Sequence, residues 1–323
     1  MPRVIVLGSS NTDMIVRLPH LPSRGETVLG GEFLSGPGGK GANQAVAARR
    51  AGAEVVFLTA IGDDDLGRRA LDGYRREGID VTHARVVPGV ASGVALIFVG
   101  DAGENMIGVA PGANARLTPE DIDRLPDAVF SPGGAFLASM EVPLAVVVRG
   151  LVRARGAGMI TILNPAPVGP GDIVTDLMTF ADVVTPNRAE AFALAGSSLV
   201  EGTSQAADDL RLLFRVETVI VTLGAEGCLV RTGDVADLID PFPVEAVDTV
   251  GAGDAFNGAL AVALAEGRPV VEAAVWASAA AALSVTRRGA QEGMPGRAEI
   301  DRLAARVLEC RGDDGETTRP VAF

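Results

Sequence analysis

The amino-acid sequence predicts an α/β fold, doubly wound about a mostly parallel central sheet flanked by helices, with a small antiparallel β lid attached. Three observations carry this prediction. Short apolar runs alternate with helical patterns along most of the chain, the rhythm of βα units. Hydrophobic residues make up 48% of the 323 residues but aromatics only 4%, and 40 are glycine, so the layers meet through small side chains. Two stretches, 13–35 and 92–110, break the rhythm and read as paired strands. The length suits one large domain with a small appendage.

Residues 4–7 are a continuous apolar run that stops at Gly8, the mark of a first strand buried on both faces. Strand-like runs recur at 55–60, 135–139, 159–163, 183–185 and 218–223, with helical patterns between most of them at 43–50, 66–77, 144–155, 189–195 and 204–214. Segment 13–35 carries Pro19, Pro22 and Gly25, then an alternating run at 27–33. Segment 92–110 reads as a hairpin, with apolar arms 94–99 and 106–109 around the polar turn 101–105. A thin sheet with one apolar face does not stand alone; it covers a ligand or packs on a second copy of itself. The last third is helical, at 251–266, 270–285 and 297–309. The expected organisation is a main α/β domain of 1–12, 36–91 and 111–310, a β-sheet lid of 13–35 and 92–110, and a disordered polar tail at 311–323. No internal repeat is visible.

The net charge of −13 and the absence of any long basic run argue against nucleic acid as a partner, because neutralising phosphates takes clustered Lys and Arg. The two cysteines, Cys228 and Cys310, have no paired spacing. Neither a disulfide framework nor a zinc site is expected, and a reducing cytoplasmic location fits. Residues 1–8 hold too short an apolar run for a secretory leader. The longest apolar stretch, 273–285, is Ala-rich, shorter than a membrane span, and reads as a buried helix, so no membrane partner is expected.

The strongest chemical signal is Asp248-Thr249-Val250-Gly251-Ala252-Gly253-Asp254, a small-residue run that opens an apolar helix. Free N–H groups and the positive dipole end favour an anion at a helix start, and residues without bulk let a phosphate reach the backbone. Asp254, in the first turn, is expected to stay ionised. It is a weak base, but phosphoryl transfer tolerates one because the acceptor proton leaves late. The plain structural alternative is a capped helix after a glycine turn.

The run Gly36-Pro37-Gly38-Gly39-Lys40-Gly41-Ala42-Asn43-Gln44 has no Ser or Thr after its lysine and is not a P-loop. It suits a loop meeting a polyhydroxylated ligand, with Lys40 and Asn43 adding hydrogen bonds. Asn187 and Glu190 have the spacing of a capping box, and the same pair suits nucleotide phosphates and the outer sphere of Mg²⁺. Asn11 and Asp13 follow the first strand and Glu141 follows the strand at 135–139, where α/β sheets bind ligands. The turn Thr222-Leu223-Gly224-Ala225-Glu226-Gly227 closes a hairpin and suits the border of a nucleotide site. His20 and His83 have no acid or nucleophile pattern around them and read as surface residues.

With these segments in view, GGKGAN at 38–43 and DTVGAGDAFNGA at 248–259 resemble the two signatures of the ribokinase-like carbohydrate kinase family. The resemblance covers about residues 3–308 and extends to NPAP at 164–167, the Asn187/Glu190 pair, TLG at 222–224 and VTRRGAQ at 285–291. GETVLG at 25–30 and SGVALIFV at 92–99 are similar to the ribose-phosphorylating members. The resemblance implies a ribokinase-like fold and ATP-dependent phosphorylation of D-ribose at its 5-hydroxyl, giving ribose 5-phosphate and ADP.

It also implies roles. Asp254 is the general base, and Gly251, Ala252 and Gly253 form the anion hole. Asn11, Asp13, Gly39, Lys40, Gly41, Asn43 and Glu141 hold the sugar together with Asp254. Asn187, Glu190, Thr222, Gly224, Ala225, Glu226, Gly227, Gly253 and Ser278 form the ATP site, with Mg²⁺ or another divalent cation. Asp248, Val250, Ser284, Arg287, Gly289 and Gly293 hold an activating K⁺, largely through carbonyls, and the β lid doubles as a homodimer interface. Two departures stand out: Gly293 lies where a serine is common, and Ser278 where a larger residue borders adenine. The acceptor stays open among ribose, 2-deoxyribose, fructose, 2-keto-3-deoxygluconate and a nucleoside. A silent sugar-binding protein on the same fold is the further alternative. An NAD-dependent oxidoreductase is disfavoured, since Ser9, Ser10 and Asn11 follow Gly8 and GxGxxG is absent.

Overall fold

The computed structural model describes residues 1–168, 175–196 and 202–313. At its centre lies strand β1 (Arg3–Leu7), in which Val4, Ile5, Val6 and Leu7 are completely buried. Val4 and Val6 enter one core, Ile5 and Leu7 the other. Successive side chains of a strand point to opposite faces, so a continuous apolar run demands cover on both. The other strands are β2 (Asn11–Leu18), β3 (Glu32–Gly38), β4 (Glu54–Leu58), β5 (Ala60–Gly62), β6 (Arg85–Val87), β7 (Gly93–Gly100), β8 (Asn105–Ala110), β9 (Ala135–Ser139), β10 (Ile160–Asn164), β11 (Val183–Val184), β12 (Thr218–Thr222), β13 (Cys228–Arg231) and β14 (Ala236–Ile239). The helices are α1 (Lys40–Arg50), α2 (Asp65–Arg76), α3 (Pro119–Asp123), α4 (Leu144–Gly156), α5 (Thr175–Met178), α6 (Arg188–Ala195), α7 (Gly202–Leu213), α8 (Ala252–Ala265), α9 (Val270–Ser284) and α10 (Arg297–Asp313).

The main sheet has eight strands in the order β14-β13-β12-β11-β10-β9-β1-β4. Pairing is parallel from β4 to β12 and antiparallel at the β12–β13–β14 edge. Helices α1, α8, α9 and α10 cover one face, and α4 to α7 the other. From β1 the chain steps to β4 on one side and later returns to β9 on the other. The crevice past the carboxyl ends of β1 and β9 is therefore a topological switch point, where open α/β sheets bind ligands.

The small second sheet has the order β3-β2-β7-β8. Its outer pairs are antiparallel as expected, and its middle pair, β2 with β7, runs parallel. Each of the two excursions contributes its own antiparallel pair, and the first strands of both leave the main body in the same direction. The strands reach deeper than the 13–35 segment: β2 starts at Asn11 and β3 ends at Gly38, so the small sheet grows out of the crevice itself. Phe33, Leu96, Met106, Ile107 and Val109 on this sheet are each more than half exposed.

Several expected elements differ in extent; the alternating run at 27–33 is strand only from Glu32 onward. The run 55–60 leaves the main sheet after Leu58, and Ala60 opens β5, which pairs with β6 instead. Helix α1 starts at Lys40 rather than 43, directly after Gly39 with its positive φ. The last helix continues to Asp313, so residues 311–313 do not belong to the expected disordered tail; residues 314–323 lie outside the described residues. His20 is exposed and bonds Glu26, and His83 is half-buried. Among the described residues no helix is long and apolar enough to cross a membrane.

Candidate active site

The end of β1, the start of α1 and the start of α8 meet at the switch point. Helix α8 opens after Gly251, whose left-handed backbone (φ 81°) turns the chain so that the first helical turn faces the crevice. Only glycine takes that conformation without strain. Asp254, in this turn, keeps 5% of its surface exposed. Its Oδ2 accepts from Asn43 Nδ2 at 2.9 Å and its Oδ1 from Gln44 Nε2 at 3.1 Å. Burial pushes the carboxyl above the ordinary carboxylate range, while the Lys40 charge and the two amide donors pull the other way. Desolvation, rather than the helix dipole, is the largest influence on Asp254 in the folded chain, and it makes Asp254 a stronger base than an exposed aspartate.

The remaining polar groups close round this carboxylate. Glu141 accepts through Oε2 from the Ser9 hydroxyl and from the Lys40 backbone N–H, the latter at 3.0 Å. The Lys40 ammonium is held above its usual pKa, chiefly by Asp254, with Glu141 and Glu190 adding to the effect and burial opposing it. Asp13 on β2 is raised to about 6 by burial, then by the nearby charges of Glu141, Asp254 and Glu292. Asn11 is buried and its Oδ1 accepts from Asn114 Nδ2 at 2.8 Å. Gly39 and Gly41 bracket Lys40 at the start of α1, where the Ala42 N–H donates to the Ser9 carbonyl at 2.9 Å. One cation thus sits among several acids, a balance suited to a neutral ligand rich in hydroxyl donors and an anion beside it.

On the other side of the first turn of α8 lies a cavity of about 480 Å³. Ala252, Gly253 and Thr249 border it, as do Thr222, Gly224, Ala225 and Gly227 from the β12–β13 hairpin. Phe242, Pro243, Val244, Phe256, Ala281 and Val285 supply apolar walls, with Ser278 beside them. Glu226 is not among the lining residues; it pairs with Arg188 at 2.7 Å. Asn187 and Glu190 form the expected capping box, the Glu190 N–H donating to Asn187 Oδ1 at 2.9 Å and the Asn187 N–H to Glu190 Oε2 at 2.8 Å. They do not line the cavity but are tied to it through the backbone bridge from Asn187 to Thr222. Burial raises the Glu190 carboxyl above its usual range.

The residues expected to hold K⁺ gather beyond the α8 start. Asp248 accepts from the Val250 and Gly289 N–H groups, both at 3.0 Å. A Cβ on Gly293 would lie 2.7 Å from the Gly289 carbonyl oxygen, 2.9 Å from that of Ser284 and 3.7 Å from that of Arg287, so three carbonyls converge on one spot. The Arg287 side chain is turned away to Glu299. Neutral backbone oxygens suit an alkali cation better than a transition metal, and no group of three His, Cys, Asp or Glu among the described residues is arranged to hold a metal.

Sequence reasoning missed four residues here. Gln44 ends the glycine-rich run at 36–44, yet reads as an ordinary helix residue. Gln291 ends the VTRRGAQ run, and its Nε2 donates to Asn43 Oδ1 at 3.2 Å. Asn164, in NPAP, accepts from Gln44 Nε2 at 3.1 Å. Asn114, which also bonds both the N–H and the carbonyl of Ser10, carries no local signal at all.

A cluster of polar side chains and a largely apolar cavity that meet at one helix start can bring a phosphoryl donor and a hydroxyl acceptor together, which is the task of a small-molecule kinase. The chain belongs to the PfkB family of carbohydrate kinases, whose family model matches residues 1–297. It is 40% identical to the ribokinase of Haemophilus influenzae over 298 residues, 91% of this chain and 95% of that one. It is 35% identical to the deoxyribokinase of Salmonella typhi over 302 residues, 90% of this chain and 95% of that one. Among solved structures, the ribokinase of Thermotoga maritima superposes with a TM-score of 0.85 at 36% identity, covering 94% of this chain and 99% of that one. The ribokinase of Arabidopsis thaliana complexed with ribose and ATP superposes with a TM-score of 0.83 at 29% identity, covering 94% and 98%.

Proposed function

We propose that this carbohydrate kinase transfers the γ-phosphoryl group of ATP to the 5-hydroxyl of D-ribose, with Asp254 as general base. The observation that carries the reading is the placement of Asp254, a buried carboxylate bonded to Asn43 and Gln44, in the same helical turn whose Ala252 and Gly253 line the apolar cavity. Ribose is favoured as acceptor by the Haemophilus relative and by Asp13, whose carboxylate accepts from paired hydroxyls. The Salmonella relative makes 2-deoxyribose the chief competitor.

In this reading Asn11, Asp13, Asn43 and Glu141 orient the sugar, with Gly39, Lys40 and Gly41 closing the pocket from the start of α1. The nucleotide base occupies the 480 Å³ cavity beside Ser278. Asp254 removes the hydroxyl proton as the sugar oxygen bonds to the γ-phosphorus and the bond to the ADP oxygen breaks; the proton leaves to solvent with product release. The N–H groups at the 251–253 helix start, that of Ala252 lying 3.3 Å from the Thr249 carbonyl, and the Lys40 ammonium balance charge on the transferring group. General-base help of this kind contributes about a hundredfold to ten-thousandfold, and positioning and charge balance supply the rest.

Glu190 would help hold a divalent cation such as Mg²⁺, which would supply neutralisation of ATP phosphate charge. K⁺ fits the carbonyls of Ser284, Arg287 and Gly289 with Asp248, where it would hold the backbone leading into α8. The small sheet of 13–35 and 92–110 acts as a lid that limits water and, through its exposed apolar face, joins a second copy. The test is ATP consumption against a panel of ribose, 2-deoxyribose, fructose, 2-keto-3-deoxygluconate and nucleosides, with and without K⁺. Ribose should give the highest kcat/KM; preference for another acceptor overturns the ribose assignment.

A further inference from the structure

We infer that Gln44 and Gln291 are positioning residues that hold the Asp254 carboxylate in one orientation, Gln44 directly and Gln291 through Asn43. The inference deepens the proposed function and rests on Asp254 being the base.

The geometry is a chain of primary amides with a fixed polarity. Gln291 Nε2 donates to Asn43 Oδ1, and Asn43 Nδ2 donates to Asp254 Oδ2. On the other side Gln44 Nε2 donates to Asp254 Oδ1 and to Asn164 Oδ1, while Asn164 Nδ2 donates to the Thr185 carbonyl at 3.0 Å. A carboxylate only accepts, so neither Asn43 nor Gln44 can turn its amide over without setting oxygen against oxygen. The charge thereby dictates the direction of every bond outward, and the outer partners return the constraint. Each carboxylate oxygen keeps further lone-pair capacity, which leaves room for a substrate hydroxyl.

Packing brings Gln44 into range. Gly258 lies one turn after Asp254 on α8, and a Cβ there would stand 2.5 Å from Ala47 Cβ and 2.7 Å from the Gln44 carbonyl oxygen. Only a glycine lets α1 approach closely enough for Gln44 to reach the carboxylate. Stability alone does not account for this residue: Gln44 is fully buried and its Oε1 has no hydrogen-bond partner, a cost that an apolar side chain would avoid. Gln291 departs from the turn that carries the Gly289 and Gly293 carbonyls, so order in that turn reaches Asp254 through Asn43. The other charges facing Asp254 are Lys40, Glu141, Asp13 and Glu190.

The test compares Gln44→Met and Gln291→Leu with the parent enzyme, measuring kcat, both KM values and the pH dependence of kcat. Loss of a donor to the ionised form makes that form harder to reach. The acid limb of kcat should move to higher pH in both variants, and kcat at neutral pH should fall about tenfold or more for Gln44→Met and less for Gln291→Leu. Both KM values should stay within about twofold of the parent, the pattern of an interaction realised in the transition state. Lower thermal stability with an unmoved acid limb and near-parental kcat would mean the glutamines serve the fold alone, and the inference fails. Should Gln44→Met not fold, Gln291→Leu, at the edge of the core, decides by the same criteria. Asp254→Asn is assayed alongside: retained turnover there removes the base itself, whereas an inactive Asp254→Asn with parental glutamine variants removes only the positioning role.

Discussion

Gly8 and Gly41 touch backbone to backbone: a Cβ on Gly41 would lie 2.4 Å from the Gly8 carbonyl carbon and 2.5 Å from its Cα. This contact seats the first turn of α1 on the end of β1 and delivers the Lys40 N–H to Glu141. Since the obstruction is backbone rather than a flexible side chain, Gly41→Ala forces one element to move. The expected cost is about 1–3 kcal/mol, typical of overpacking in a close-packed region, read as a lower urea midpoint. The KM for the sugar should rise as well, because Lys40, Asn43 and Glu141 lose their mutual placement.

Asp254→Asn should abolish most turnover, a loss of about a hundredfold to ten-thousandfold in kcat, while leaving the fold intact. Burial raises the folded-state pKa of Asp254. A carboxyl raised in this way favours the folded protein at low pH and opposes it once ionised, as pH climbs through the folded pKa. Removing the charge should leave the neutral-pH melting temperature unchanged or higher. A large drop in melting temperature would show that the ionised carboxylate supports the fold.

Asp13 predicts a pH dependence for sugar binding. Its pKa is raised to about 6, and only the ionised carboxylate accepts from two sugar hydroxyls. The kcat/KM for the sugar reports the free enzyme. It should level off toward pH 7 and fall as pH drops through about 6, with Asp254 steepening the fall. A profile that stays flat down to pH 5 would contradict the burial of Asp13.

Ile107, on the small sheet, is 55% exposed and shares one face with Val109, 52% exposed, while Met106 and Leu96 lie on the opposite face. An apolar sheet face of this kind is unlike an ordinary soluble surface. Ile107→Lys should shift the protein from dimer to monomer in sedimentation and lower kcat/KM for the sugar through a looser lid. A monomeric parent protein would remove the dimer from the proposal.

The features legible in the linear order of residues are those whose chemistry is local. A buried strand shows as an apolar run, as at 4–7, because both its faces need apolar cover. The capping box of Asn187 and Glu190 is a spacing of three residues, and the reversal at Gly251 is a glycine before a helix. These locate the candidate site and the βα order that builds the sheet.

Which groups face one another across long separations was not legible there. Asn114 reaches Asn11 and Gln291 reaches Asn43 only after the sheets and helices have packed. The parallel pairing of β2 with β7, the turning of Glu226 to Arg188 and the desolvation of Asp254 belong to the same class. Burial and long-range contact are properties of the assembled volume, set by close packing at points such as Gly8–Gly41 and Gly258, whereas turns, caps and periodicity are written into neighbouring residues.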